Sequence, residues 1–333
     1  MEIKDYLVGD VRDSVRYVEK MSRGGLSKMP PLIITCAITG GLHGKEANPN
    51  LPESPEEQVQ AAYEAWNAGA SMVHIHRRNP ENPMQMSWKW EEFAEVNAMI
   101  REKCPDLIIN NTCLGGRLVN EDAGTVGDMM MASIPAKPEV ASLDIHCFCE
   151  DMPMKARKTP LFGRDEDGVL KFHYSISPEN ARHVAAAMAE NGIKPEFEMF
   201  DIADVKYLNR LIKEGVVQAP YWVSMLFNGN GTIPLPDMML AATRVLPDNA
   251  LFNIIGVGAA QFAMLAMGII LGHHVRVGLE DNVFYAPHQL AESNAQMVER
   301  VVRLARELGR PIATPAQARA MMGLGAPRAY TFP

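Results

Sequence analysis

The chain has 333 residues, 47% hydrophobic and 22% charged, enough for one large buried core. Its formal net charge of -8 excludes nucleic acid or an anionic membrane surface as the main partner, since either needs a basic face, so any anionic substrate must be met by local arginines. Five cysteines, sparse and odd in number, exclude a disulfide framework; with no uncharged apolar run of about 18 residues and a start too charged for a secretory signal, the chain reads as cytoplasmic.

Residues 1–30 form a charged N-terminal extension, and 31–333 read as one catalytic domain in which β-rich apolar runs alternate with helical stretches. The first run is PLIITCAIT (31–39). A helix follows, opened by Ser54 at the N-cap, Pro55 at the first position and Glu57 in the capping-box position, and stopped by Gly69. The second run, SMVHIHR (71–77), places His74 and His76 two apart and therefore on one face of a strand. They are either half of a metal site or a hydrogen-bonded pair of core imidazoles. Arg77 and Arg78 follow, and at least one of them should face outward or pair with an acid.

The third run, DLIINNTC (106–113), ends at Thr112 beside Gly115 and Gly116, whose backbone can approach a substrate oxygen. The fourth, EVASLDIH (139–146), sets Ser142, Asp144 and His146 on one face. The charged segment from Phe148 to Lys171 then reads as a long loop at the active-site end. His146 and Cys149 have no second pair with metal-ligand spacing. Glu198 lies in PEFEMFD (195–201), and YWVSMLFN (221–228), ALFNIIGV (250–257) and HVRVGLE (274–280) complete eight runs. Gly256-Val257-Gly258, at the start of a helix, offers N–H groups to an anion.

Near-continuous apolar runs suit strands buried on both faces, and eight such units predict an α/β fold, the (β/α)8 TIM barrel. A doubly wound open sheet is the alternative, but the first run is not followed by a G-x-G-x-x-G turn. In a closed barrel the eighth strand lies two from the second, which makes Glu280 the third ligand for His74 and His76. Two histidines, a carboxylate and an open position suit catalytic zinc, with non-haem iron as the lesser choice. Asp281 is a general base beside the metal or a helix cap. Arg276, four residues before Glu280, orients Asp281, holds a substrate carboxylate or forms a structural ion pair.

Taken together, TCAITG, HIHRR, PEFEMFD, VRVGLEDN and the tail AESNAQMVERVVRLARELGRPIATPAQAR resemble the β-keto acid cleavage enzymes, from about Pro31 to Met322. The resemblance implies a zinc-dependent barrel, commonly a homotetramer, that converts a β-keto acid and acetyl-CoA into acetoacetate and a new acyl-CoA by a retro-Claisen route. It implies His74, His76 and Glu280 as zinc ligands, and Asp281 as the base supported by Arg276, with the attacking carbanion generated on the acetyl group. Thr112 stands where the family has a serine, Ser142 at a threonine or serine position, and Glu198 at a glutamate.

Gly41-Leu42-His43 stands where a family member that cleaves an amino keto acid carries a glutamate, and DIHCFCED replaces a small glycine- and asparagine-containing segment. His43, Arg77, Asp144 and His146 are therefore the expected specificity positions. The alternatives are a metal-dependent barrel hydrolase, which would need further histidines on the middle strands, and a non-catalytic metal- or ligand-binding barrel.

Overall fold

The structure, a computed structural model, describes residues 12–113, 128–161 and 163–332. Asp13 caps helix α1 (Ser14–Gly24) by accepting from the Arg16 N–H. Thus part of the N-terminal extension is helical, and the Tyr17 hydroxyl ties it to the Ile270 carbonyl. The chain then alternates as expected: β1 (Ile34–Thr39), α2 (Pro55–Ala68), β2 (Met72–Ile75), α3 (Trp90–Lys103), β3 (Ile108–Asn111), a short α4 (Asp128–Met131) and β4 (Val140–Asp144). Ser54 and Glu57 form the predicted capping box of α2, a device worth about 1 kcal/mol. Gly69 ends that helix at φ +116°, where a side chain would be strained.

The segment after β4 differs from the expected loop. It is an antiparallel hairpin, β5 (Phe148–Met154) with β6 (Gly168–Tyr174), in unbroken register from Phe148 opposite Tyr174 to Met154 opposite Gly168. Its alternation of inward Phe148, Met152 and Met154 with exposed Cys149, Asp151 and Pro153 was present in the sequence, but the charges concealed it. The barrel resumes with α5 (Pro178–Glu190), β7 (Lys194–Met199), α6 (Val205–Lys213), β8 (Tyr221–Phe227), α7 (Pro236–Val245), β9 (Ala250–Gly256), α8 (Gln261–Ile270) and β10 (His274–Val277). A small hairpin, β11 (Phe284–Ala286) with β12 (Gln289–Leu290), precedes α9 (Asn294–Glu307) and α10 (Pro315–Met322).

Eight parallel strands close in the order β1-β10-β9-β8-β7-β4-β3-β2. Strand period divides their side chains: Ile34, Val73, Ile109, Leu143 and Val223 face the helices, whereas Ile33, Met72, Ile108, Val140, Trp222 and Leu251 fill the floor, sealed by Met321 and Met322 of α10. Above that floor the lumen turns polar. Glu196 accepts from Asn110, the Trp222 indole and Ser224, so both of its buried carboxyl oxygens are hydrogen-bonded. The next inward residues, at the C-terminal strand ends, are His76, Thr112, Asp144 and Glu198.

The tail has a structural role in placing the last of these groups. Asn294 at the start of α9 donates to the Ile38 carbonyl and accepts from the Leu279 N–H, pinning the turn after β10 against β1. The five cysteines are free thiols. Among the described residues no helix is long and apolar enough to cross a membrane.

Candidate active site

Alternation along β2 points His74 and His76 into the barrel mouth, and the turn after β10 delivers Glu280 to them. Their nearest ligand atoms all lie within 4.8 Å of one another. Glu280 Oε1 stands 3.7 Å from His74 Nε2 and 3.3 Å from His76 Nε2. Ligands bound at about 2.0–2.2 Å around a tetrahedral zinc ion would be separated by roughly 3.3–3.6 Å, so the triad has metal-site dimensions. Two glycines create this approach. A Cβ on Gly278 would lie 2.1 Å from the Ala37 carbonyl oxygen, and one on Gly40 would lie 2.8 Å from Glu280 Cγ.

The donor chemistry fits a divalent cation. Burial lowers the His74 pKa well below the ordinary value, which leaves a neutral imidazole with a lone pair to donate. Burial opposes charge on Glu280, yet Arg276 and the two imidazoles outweigh it and hold the carboxyl well below the usual range. Glu280 Oε2 is buried and has no hydrogen-bond partner among the described residues. Such an atom is costly unless something pairs with it.

Arg276 is the hub of the site. Its Nε donates to Asp281 Oδ2 at 3.0 Å and its Nη2 to Asp281 Oδ1 at 2.9 Å, a bidentate fork that fixes the carboxylate plane. Nη1 donates to Glu198 Oε1 at 3.0 Å, and Nη2 also contacts Glu280. Surrounded by three carboxylates, the guanidinium stays charged despite its burial. Of the three roles open to it, orienting Asp281 is the one this geometry displays. Burial raises Asp281 to about 6, reinforced by Glu280 and opposed by Arg276. Asp144 and Glu198 are register partners across β4 and β7 and share a hydrogen bond. Burial lifts Asp144 to about 6, and burial together with Asp144 raises Glu198.

A family model described as beta-keto acid cleavage enzyme matches residues 31–324. The chain belongs to this family. It is 37% identical over 297 residues to the 3-keto-5-aminohexanoate cleavage enzyme of Acetoanaerobium sticklandii, covering 89% of this chain and 99% of that one. It is 33% identical over 298 residues to a 3-oxoadipate:acetyl-CoA acetyltransferase of Cupriavidus necator (88% and 95%), and 31% identical over 313 residues to a 3,5-dioxohexanoate:acetyl-CoA acetone transferase of Paraburkholderia graminis (88% and 96%). Among solved structures, apo ObcA shares the barrel with a TM-score of 0.66 at 18% identity, over 83% of this chain and 66% of ObcA. The hydrolase and non-catalytic alternatives give way to the family match.

In this β-keto acid cleavage enzyme, one cavity is lined by His43, His74, His76, Thr112, Asp144, Glu198, Arg276, Glu280 and Asp281. Three other expected positions do not line it. Arg77 turns outward, its Nη1 donating to Gln58 Oε1 at 2.5 Å and its Nε to the Glu92 carbonyl at 3.2 Å, because it is the odd neighbour of His76 on the strand. Ser142 lies one inward layer below the mouth, where its Oγ accepts from the Cys113 N–H at 3.3 Å. It supports the Thr112 turn rather than facing the cavity. His146 pairs with Asp204 Oδ1 at 2.8 Å and stacks on Phe200 and Phe148, so it backs the wall from behind.

Gly258 also departs from expectation: its N–H donates to the Asp281 carbonyl at 2.8 Å, bracing the turn after β10 instead of meeting an anion. Gly115 and Gly116 lie outside the described residues. Sequence reading missed Phe148, Glu150 and Met152 of the hairpin, and Phe200 and Leu226, all of which line the cavity. Arg78, the second of the two arginines singled out after β2, binds the His43, Gly41 and Pro83 carbonyls and braces the β1–α2 loop. Only the period-2 pattern of β5 could have revealed the three hairpin residues.

Proposed function

We propose that this protein is a zinc-dependent enzyme that reacts a β-keto acid with acetyl-CoA to give acetoacetate and a new acyl-CoA. The observation that carries this reading is the coexistence, in one cavity, of a His74-His76-Glu280 ligand set and an Asp281 carboxylate clamped by Arg276. The acetyl-CoA-dependent names of relatives in Cupriavidus necator and Paraburkholderia graminis support the co-substrate. When bound, zinc supplies a Lewis acid at the keto oxygen.

The products locate the carbanion. Acetoacetate keeps the acetyl group whole and joins it to the acid's CH2–COO⁻ unit, so the carbanion forms at C2 of the keto acid and not on the acetyl group as the resemblance first suggested. Asp281 takes the C2 proton, and the electron pair left at C2 forms a bond to the acetyl carbonyl carbon as CoA thiolate leaves. The thiolate then adds to the original keto carbon. The C2–C3 bond breaks, its electrons return to C2, and C2 regains the proton from Asp281. Atoms and charge balance without a redox partner.

Arg276 keeps Asp281 aimed through these steps, while Glu198 holds Arg276 from its far side. The hairpin residues Phe148 and Met152 cover the cavity and limit water, which would otherwise quench the carbanion. Incubation with acetyl-labelled acetyl-CoA and a panel of β-keto acids, followed by mass spectrometry, tests the reading. Label in acetoacetate, with the remainder of the acid on CoA, is expected. Label in free acetate, or acid cleaved without a new thioester, overturns it.

A further inference from the structure

We infer that the cleft between α8, the β11–β12 hairpin and α9 seats the adenosine 3′,5′-bisphosphate end of coenzyme A. The inference rests on the acetyl-CoA reading above and asks where the rest of that molecule goes. The cavity at the metal centre measures about 150 Å³. The reacting thioester has to reach the metal centre inside that cavity, and the bisphosphate end of coenzyme A, at the far end of the pantetheine arm, then lies outside the mouth.

A second cleft, of about 370 Å³, opens immediately beside it. Neighbouring residues line the two: Asp281 the first and Asn282 the second, and Val257 the first and Ala259, two residues on, the second. Asn282 also fixes the cleft's outer wall, its side chain donating to the Phe284 carbonyl at 2.8 Å and accepting from the Phe284 N–H at 3.0 Å.

The wall chemistry matches a nucleotide. Arg300 holds its guanidinium 3.8 Å from the Phe262 ring centroid and 4.6 Å from that of Tyr285, and it donates to the Tyr285 carbonyl. Among the described residues no carboxylate lies within ion-pair distance of it, in a chain with eight excess negative charges. Arg303, one turn on, donates to the Tyr285 hydroxyl at 3.3 Å and lies 3.8 Å from Glu299, with both side chains of that pair exposed. His288 adds a third basic group at the hairpin tip, and Phe284 presents an exposed ring. A guanidinium fixed between two rings suits phosphate, and the exposed Phe284 ring suits a purine.

The test compares acetyl-CoA with acetyl-pantetheine, which carries the same reacting atoms and no nucleotide. In wild-type protein kcat/KM should favour acetyl-CoA, and Arg300→Gln should cut that preference by about tenfold or more, through KM. Phe262→Ala should act in the same direction. A preference unchanged in both variants overturns the assignment, as does an equal loss with both thioesters, which would mark Arg300 as a brace for Tyr285 alone. A change in sedimentation mass on Phe284→Ser with the preference intact would make the cleft a contact between copies, and also overturns it. Calorimetry with adenosine 3′,5′-bisphosphate separates this idea from the reaction itself. If wild-type protein turns over neither thioester, the proposed function fails, while binding that is lost in Arg300→Gln still supports the cleft and absence of binding still refutes it.

Discussion

On the proposed mechanism, two adjacent carboxylates divide the work, Glu280 at the metal and Asp281 as the base. Glu280 reaches the imidazoles and stays ionised, whereas Asp281 is turned away from them by the Arg276 fork. Glu280→Gln should therefore strip the metal, measured by elemental analysis of purified protein. Asp281→Asn should retain the metal and lose about 10²–10⁴-fold in kcat, the usual share of a positioned base. Equal metal loss in both variants would refute the division. Arg276→Lys keeps the charge but removes the planar fork, so kcat should fall by about 10²-fold, the scale of a misplaced catalytic group. His74 and His76 were legible in the sequence because strand period puts them on one face, and Glu280 with its neighbour Asp281 because a closed barrel sets the end of the eighth strand near the second. The choice between Arg77 and Arg78 was not, because each finds its partners on helices and loops far along the chain.

At the scale of one element, the β5–β6 hairpin makes this barrel's mouth its own. Its tip carries Arg157, nearly fully buried, which donates to Glu53 at 2.8 and 3.1 Å and also pairs with Glu46. Glu46 and Glu53 belong to the β1–α2 loop, so this cluster straps the hairpin across the rim from β4. Arg157→Ala leaves buried Glu53 without its cation and Glu46 with only Arg164 at 3.9 Å, and should cost roughly 3 kcal/mol of local stability, about a hundredfold in the opening equilibrium. Faster amide exchange across 148–154 and 168–174, with the barrel strands unchanged, would show it, together with a higher KM for the keto acid. Exchange spread evenly over the chain would mean the strap is not local. The hairpin was read as a loop because its alternation is carried by Met and Phe between charged and proline residues. Nothing local reveals that it folds back over the cavity.

For the whole molecule, the barrel stacks a sealed apolar floor, a polar middle and a reactive mouth, and acid should attack the lower wall as well as the site. His273 is buried beside Thr243 Oγ1 at 3.0 Å, and burial with Arg310 lowers its pKa to about 3; His274 is lowered for the same reasons. Between pH 6.5 and about 3 the unfolded chain binds a proton at His273 that the folded chain refuses. Stability contributed by the neutral ring is thus present above pH 6.5 and falls by about 1.4 kcal/mol per pH unit below it. Urea unfolding of His273→Gln should show a shallower loss between pH 6.5 and 4.5 than wild type. An unchanged slope would exclude His273 as a source of acid sensitivity.

The sequence by itself determined the eight strands, the closed barrel, the clustering of His74, His76 and Glu280, and the family, because strand period, helix caps and the spacing of HIHRR and GLEDN are local patterns that tertiary packing preserves. It also determined that anions must be met by individual arginines. Only the tertiary structure decided which arginine does what. Arg276 meets three carboxylates from β7 and the turn after β10, Arg157 crosses from the hairpin to the first loop, and Arg77 points outward. Ion pairs reach across long sequence separations and form wherever the fold brings opposite charges out of water together. Their partners are therefore set by which strand ends the barrel makes neighbours.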